Sequence, residues 1–538
     1  MTAHLLRIEA INLDQVLADT DQLSVIRGGG LLALHAVQLR DPAGTRPLPV
    51  RIDSDAGPLD VALESISLGA SVGLYRFALP AGRAALAARV VDSVAEQLGS
   101  HYPHHNCVVD SEPLGDDPAD FRKARERLIA RQRLRQLRQP TPVLVAEPGP
   151  CPCAWDDLRP AAVEQPRKPG ADGDARSAWL SASVHHRYAY GREQKQGFLN
   201  DTTGLDLQYT EDFETLAGRF HDRRLQHKLA VLYFDGNDFG KLQAGCHSRA
   251  SLKAFDDQLR AARKLLLRRL LNHLAGNDDA FYRPPDQPDT EPRLRFELLL
   301  WGGDELLFVV PAWLGLDALF CTYRAMADWT WQDPQACAPS GKPPPPKHLT
   351  HAGALIFCDR KTPIDRMTQL ARDLAEQGVK AAPHGGRDHN LFEYLILESI
   401  DFPAEPPATY FRRRYRHLSS ERRPLSPLPE AAACIAELAR LRDAGRIPHG
   451  PLHEGALRIA RGDDCAAPAD AAGALMADLE RRVAAAGDDA ERDLTQLTAT
   501  LKRLFPQERQ TDAWRWVHLA ELWDYLGPRR PARAEGGA

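Results

Sequence analysis

Apolar and polar positions change rhythm several times along the chain. From the start, LLRIEAINL alternates as a half-buried strand does, and SVIRGGGLLALHAVQL reads as a helix opening on its three glycines. ISLGASVGLYRFAL follows as one or two strands. AALAARVVDSVAEQL has apolar residues at i, i+3 and i+4 and predicts a helix, and NCVVDSE predicts a strand. The succession is βαββαβ, a ferredoxin-like pattern. From residue 226 the theme returns more clearly. KLAVLYFD is apolar almost throughout, as a buried central strand is. SLKAFDDQLRAARKLLLRRLLNHL is a long amphipathic helix. RFELLLWGG and ELLFVVPAW flank a Gly-Gly turn and predict a hairpin. LDALFCTYRAMADWTW (helix), HAGALIFCD (strand), PIDRMTQLARDLAEQGVKAA (helix) and NLFEYLILESI (strand) complete the set. Past FPAEPPATY, Ala, Leu and Arg dominate in helical spacing.

Between the two units, VAEPGPCPCAWDDLRPAAVEQPRKPGADG holds too many prolines for a sheet or a helix. The expected fold class is therefore α+β: two ferredoxin-like units, an irregular insert and a C-terminal helical domain. The expected boundaries are 1–140 for the first unit with a basic helix, 141–220 for the insert, 221–402 for the second unit and 403–538 for the helices. YRPPDQPDTEP and the proline-rich stretch from Asp333 to His348 read as surface loops within the second unit.

The 538 residues are 43% hydrophobic and 26% charged, with a net charge of -5. That composition excludes whole-chain disorder and a binder that works by bulk positive charge. Nine scattered cysteines do not suggest a secreted disulfide framework. Arg7 and Glu9 interrupt the stretch where a signal peptide would be apolar, and no apolar run approaches 18 residues. A cytoplasmic protein with no membrane partner is expected.

The chemistry concentrates at two turns. Asp235 ends VLYFD, followed by Gly236, Asn237, Asp238, Phe239, Gly240 and Lys241. Asp304 and Glu305 follow Gly302 and Gly303 at the hairpin. In a ferredoxin-like sheet the first strand lies beside the hairpin strand, so Asp235 is expected beside Asp304 and Glu305. Carboxylates so gathered repel one another unless a cation neutralises them. Mg²⁺ or Mn²⁺, as two ions, takes such oxygen ligands and leaves room for substrate phosphates. Asp235, Gly236 (through its carbonyl), Asp304 and Glu305 are the expected metal ligands. Taken singly, each motif also reads as ordinary turn residues.

YFDGNDFGKL and WGGDELLFVV resemble the two signatures of palm-domain nucleotidyl cyclases. That group includes GGDEF diguanylate cyclases and the large polymerase-like subunit of type III CRISPR effector complexes. HAGALIFCDRKTPIDRMTQLARDLAEQGVKAA and NLFEYLILES are similar to the segments after that subunit's GGDD motif. TDQLSVIRGGGLLALHAV is similar to its first palm domain, and FRKARERLIARQRLRQLRQ with CPCAWDDLRPA to the approach to its zinc module. The resemblance spans roughly residues 1–400. It implies two palm domains, catalytic Asp235, Asp304 and Glu305, and a triphosphate held by Lys380. It also implies nucleotide contacts from Asn237, Asp238, Phe239, Gly240, Lys241, Gly302 and Gly303. Gly28, Gly29 and Gly30, read as a helix start with open N–H groups, are the expected acceptor-side contacts. The chain departs from the pattern in having GGDE for GGDD and Asn237 for a usual Asp. An HD nuclease is not expected, since no such motif is read before the first unit and His221-Asp222 does not supply one.

Cys151 and Cys153 stand one residue apart, with His185 and His186 the nearest further ligands, and zinc is not expected. Residues 122–138 hold eight Arg or Lys against one Glu, and FRRRYRH with Arg422 and Arg423 adds aromatic rings to a second basic cluster. Each reads as a solvated face or as a contact for RNA or for CRISPR effector subunits. The expected function is joining NTPs, ATP first, into a cyclic or linear oligonucleotide messenger for a downstream effector in antiviral defence. The alternatives are an HD-less subunit that scaffolds an RNA-guided complex, or a diguanylate cyclase. The last lacks an RxxD inhibitory site before the turn.

Overall fold

The computed structural model describes residues 1–528 except 14–16, 18, 55–56, 116, 139–150, 166–176, 285–289, 337–343, 383–385, 399–402, 404, 417, 419–422, 463–466 and 507–510. Arg422 and residues 141–150 and 166–176 of the insert lie outside the described residues.

The first unit runs β1 (Thr2–Ile11), α1 (Leu23–Val37), a hairpin of β2 (Val50–Ser54) and β3 (Gly57–Val61), β4 (Glu64–Leu68), β5 (Val72–Leu79), α2 (Leu86–His101) and β6 (Asn106–Leu114). Its sheet has the order β4-β5-β1-β6 with antiparallel neighbours. Alternation along the strands sends Leu6, Ile8, Tyr75 and Phe77 into one core with α1 and α2. It sends Leu5, Ile66 and Leu74 to the opposite face, where Phe121, Ala124 and Leu128 of α3 (Pro118–Arg138) join a larger core. The basic side of α3 is tied to β6. Arg127 pairs with Glu112 at 2.6 Å, and Arg131 and Arg135 pair with Asp110 at 2.9 and 3.3 Å.

The glycines 28–30 correct the expectation of a helix start. The helix begins at Leu23, so the N–H groups of Gly28, Gly29 and Gly30 sit inside its hydrogen-bonded ladder and face no ligand. Gly28 instead allows a close crossing: a Cβ there would lie 1.9 Å from the carbonyl oxygen of Arg187. The carbonyl of Gly29 accepts from His105 at 3.0 Å. Arg187 belongs to α4 (Ala182–Thr203), a 22-residue helix that follows the short pair β7 (Val163–Gln165) and β8 (Ala178–Leu180). Residues 182–203 are thus regular where an irregular insert was expected. Ser181 caps the helix by accepting from the Val184 N–H.

The second unit runs β9 (Lys228–Gly236), α5 (Phe239–Gly245), α6 (Arg249–Ala275), β10 (Glu297–Gly302), β11 (Glu305–Pro311), α7 (Gly315–Met326), β12 (His351–Asp359), α8 (Ile364–Asp373), a π-helix (Leu374–Lys380) and β13 (Leu391–Ile396). Its sheet order is β10-β11-β9-β12-β13, with β13 parallel to β12 and the other neighbours antiparallel. β9 is the central strand, and Leu229 through Phe234 are all buried. Each unit therefore shows the βαββαβ succession, and the second adds one parallel strand.

The two units face each other reciprocally. Arg27 of α1 grips Glu297 of β10 with two bonds of 2.7 and 2.8 Å, and Asp256 of α6 accepts from Ser67 and the Leu68 N–H of β4 at 3.1 and 3.0 Å. Their hairpin tips touch, because a Cβ on Gly302 would lie 1.8 Å from the Ala70 Cβ. Only glycine permits that approach.

The C-terminal helices α9 (Pro407–Arg414), α10 (Ala431–Asp443), α11 (His449–Arg461), α12 (Pro468–Ala484), α13 (Asp488–Leu504) and α14 (Asp512–Leu522) share one continuous core with the second sheet. Tyr525 packs on Phe357 with ring centres 4.2 Å apart and the planes tilted by 35°. Among the described residues no helix is long and apolar enough to cross a membrane.

Candidate active site

β9 and β11 bring the two sequence motifs together. Asp235 is the register partner of Glu305, so the two side chains share a face of the sheet. One residue on, the Gly236 N–H donates to the Asp304 carbonyl at 3.1 Å. The hairpin turn is held from outside by Arg263, whose guanidinium donates to the Gly303 carbonyl at 2.9 Å and lies 4.6 Å over the Trp301 ring.

Asp235 is nearly buried and meets Lys380 Nζ at 2.5 Å; the same ammonium reaches Glu376 Oε1 at 2.8 Å. Glu376 and Lys380 are one turn apart on the π-helix, and the lysine side chain is only 6% exposed. Burial and the neighbouring Glu376 push the Asp235 carboxyl up to about 7, against the pull of Lys380. Burial also raises Asp304, with the Glu305 charge adding to it. Burial works against the charged Lys380, but its bonds to Asp235 and Glu376 hold it above the ordinary lysine value. Tyr233 donates its hydroxyl to Glu305 Oε1 at 3.0 Å and fixes that carboxylate's direction.

The remaining motif residues divide. The Asn237 amide donates to Thr350 Oγ1 at 3.0 Å and braces the loop, while its Oδ1 is buried without a partner. Asp238 adopts a left-handed backbone (φ 61°) and pairs with exposed Lys241 at 2.9 Å and Arg387 at 3.1 Å. Phe239 corrects the expectation of a nucleotide contact: it is buried against Phe255 and His351, because α5 turns it inward. Gly240 has open space beside it. Gly302 is engaged by Ala70, as described.

A cavity of about 320 Å³ opens beside Glu305, between the units. Gly30 and Ser71 line it from the first unit, and Arg372 lines it from α8. Its floor is a buried ion cluster: Glu297 receives Arg27 and, at 2.7 Å, Lys195 of α4. Burial pushes Lys195 down to about 8, with Glu297 opposing the shift.

The oxygen donors of Asp235, Asp304 and Glu305, with the Gly236 carbonyl, suit a hard divalent cation by their chemistry. The Lys380 ammonium already stands as a cation on Asp235. Among the described residues no three His, Cys, Asp or Glu side chains are gathered as a ready ligand group. Cys151 is exposed while Cys153 packs with Val25 and Leu180, so the two thiols serve different environments. His186 sits against His104, ring centres 5.6 Å apart.

Sequence reasoning did not find Tyr233, Arg263 or Glu376. The only signal for Glu376 was its place four residues before Lys380, and Arg263 looked like one more cation on a long helix.

No family model and no curated protein matches the chain. Among solved structures, it is similar to a chain of the apo Csm1–Csm4 cassette at 13% identity and a TM-score of 0.40, covering 82% of this chain and 62% of that one. It is similar to Csm1 in T.onnurineus at 14% identity and a TM-score of 0.38, covering 98% and 69%. A Csm1–Csm4 cassette in complex with one ATP is similar at 12% identity and a TM-score of 0.41, covering 98% and 70%. These neighbours are Csm1 (Cas10) subunits of type III CRISPR Csm complexes. The chain spans about 62% of the length of the first of them.

Proposed function

We propose that the chain is a metal-dependent nucleotidyltransferase that joins NTPs, ATP first, into a cyclic or linear oligonucleotide, in a CRISPR-type antiviral role with a downstream effector as the reader. On this reading residues 1–140 and 221–402 are two ferredoxin-like palm domains. The observation that carries it is the pairing of Asp235 with Glu305, with Asp304 beside them, where Glu305 also lines a cavity walled by both units.

The chain's own residues divide the work. Asp235, Asp304 and the Gly236 carbonyl would hold Mg²⁺ or Mn²⁺, which neutralises the triphosphate and the charge that develops on the α-phosphate. Glu305 lines the cavity, so it addresses the acceptor nucleotide. The acceptor 3′-oxygen forms a bond to the α-phosphorus, the bond to pyrophosphate breaks, and Glu305, aimed by Tyr233, takes the hydroxyl proton. Gly30 and Ser71 supply the acceptor's wall, in place of the helix-start role expected for Gly28 and Gly29. Lys380 would exchange Asp235 for a phosphate oxygen. Lys241, exposed at the loop, would meet the same triphosphate.

The test is incubation of the purified protein with each NTP and Mg²⁺ or Mn²⁺, with products read by mass spectrometry. Oligonucleotides with released pyrophosphate are expected, and absence of product from every NTP overturns the reading. A second reading, a scaffolding subunit of an RNA-guided complex, is favoured by the Lys380 ammonium, which stands on Asp235 in the place of a bound cation. It predicts nucleotide binding without turnover.

A further inference from the structure

A second concave site shares no residue with the carboxylate cluster. It is a cavity of about 510 Å³ lined by Tyr410, Arg413 and Arg414 of α9, by Arg416 just beyond it, and by Arg461 at the end of α11. Two of the four guanidiniums are compensated within the fold. Arg413 pairs with Glu405 at 2.9 Å, and Arg414 pairs with Glu521 at 3.1 Å. Glu521 is itself fixed by hydroxyl donors from Tyr415 at 2.5 Å and Tyr394 at 2.9 Å, so Arg414 stands on a rigid base. Arg414 also donates to the Tyr410 hydroxyl at 3.2 Å, and Arg413 lies 5.9 Å from the centre of that ring. Arg416 and Arg461 are exposed and have no carboxylate partner among the described residues.

Four guanidiniums around one hollow repel one another, and the described residues neutralise only half of them. The missing charge is that of an anion able to accept from two forks at once, which is the chemistry of a phosphate. The volume suits a nucleotide-sized ligand rather than a lone ion. The tyrosine offers a base a stacking partner, and four guanidiniums around the hollow are more than a single phosphate takes up. We infer that this pocket binds the phosphodiester backbone of a single-stranded nucleic acid. The inference goes beyond the nucleotidyltransferase reading and does not depend on it.

The test is fluorescence anisotropy of the full chain with labelled single-stranded RNA and DNA of the same sequence, across a salt series. Wild type is expected to bind one or both strands, and the two arms identify the source. Arg416→Glu with Arg461→Glu is expected to weaken binding at least tenfold. Arg416→Gln with Arg461→Gln should weaken it less and lower the salt slope by about 1.4, at ~0.7 per lost phosphate contact. The glutamine pair keeps the test valid if charge reversal impairs folding, which a melting curve reports. Wild-type affinity and slope in both variants would overturn the inference, as would failure of wild type to bind either strand. Displacement of RNA by inorganic phosphate or ATP at matched phosphate concentration would also overturn it, because the pocket would then be one for small anions. Asp304→Ala with Glu305→Ala should bind the strands as wild type does, so failure of the catalytic reading and failure of this one are distinguishable.

Discussion

The two sheets can be laid over each other residue by residue at one corner. In the first unit the Ala10 N–H donates to the Ser71 carbonyl at 2.8 Å, and Glu9 is the register partner of Val72. In the second the Gly236 N–H donates to the Asp304 carbonyl at 3.1 Å, and Asp235 is the partner of Glu305. The same backbone contact is thus framed by one carboxylate in one unit and by three in the other. The single one, Glu9, is already satisfied by Arg7 at 2.5 Å. The fold supplies a corner where a strand end meets a hairpin; four side chains decide whether that corner is chemical or structural. The first unit then acts as a wall, through α1 and its own hairpin tip.

The comparison breaks most completely where the units are tied. Glu297→Ala leaves Arg27 and Lys195 buried without their shared partner, and should cost about 3–5 kcal/mol in denaturant unfolding. A loss near zero would mean that the units are held by apolar packing alone. Next in size is the contrast between corners. Asp304→Ala with Glu305→Ala should lower turnover at least about 100-fold, equivalent to ~2.7 kcal/mol, with melting nearly unchanged. Glu9→Ala should leave turnover at the wild-type level. Equal losses at both corners would remove the division of labour.

A third pair contrasts buried with open glycines. Gly28→Val drives a side chain into the Arg187 carbonyl and should destabilise by about 1–3 kcal/mol, whereas Gly240→Val meets open space and should stay within about 0.5 kcal/mol. The smallest effect is one of pH. Burial pushes His35, His104 and His105 in the first unit down to about 4 from 6.5. The unfolded chain binds their protons first, so this contribution is present above pH 6.5 and is lost as the pH falls towards 4. Asp235 has the opposite sign: its raised value favours the fold below pH 3.8, and that advantage fades as the pH rises through about 7. Moving from pH 7 to 5.5 should therefore speed amide exchange, corrected for intrinsic rates, in α1 and α2 relative to β9 and β11. The reverse order would contradict the assignment of the neutral histidines.

What could be read in advance follows the physics of each segment. β9 and the β10–β11 hairpin announce themselves because buried strands need continuous apolar runs and a tight turn needs glycine. The juxtaposition of Asp235 with Asp304 and Glu305 followed from strand order alone. α4 was hard to read because Arg187, Gly191 and Lys195, which serve ion pairs and a backbone crossing, interrupt its buried face between Val184, Tyr190 and Leu199. The start of α1 was misplaced because no side chain caps it at Gln22, while three glycines downstream imitate a boundary. The β2–β3 hairpin was missed, as VRIDS and GPLDV bury little beyond Val50, Ile52 and Val61. The hold of Lys380 on Asp235 joins positions 145 residues apart, and nothing local records it.

That hold also depends on how its helix is wound. Leu374–Lys380 follows i→i+5 bonding, which accommodates one more residue than an α-helical segment of the same bonding count. Each residue added to or removed from an ordinary helix turns everything beyond it by about 100°. Deleting Gln377 would let the segment relax to α geometry and swing the ammonium to another azimuth, with its charge and length untouched. The reach of Lys380 is a matter of phase, written into the pitch of the backbone.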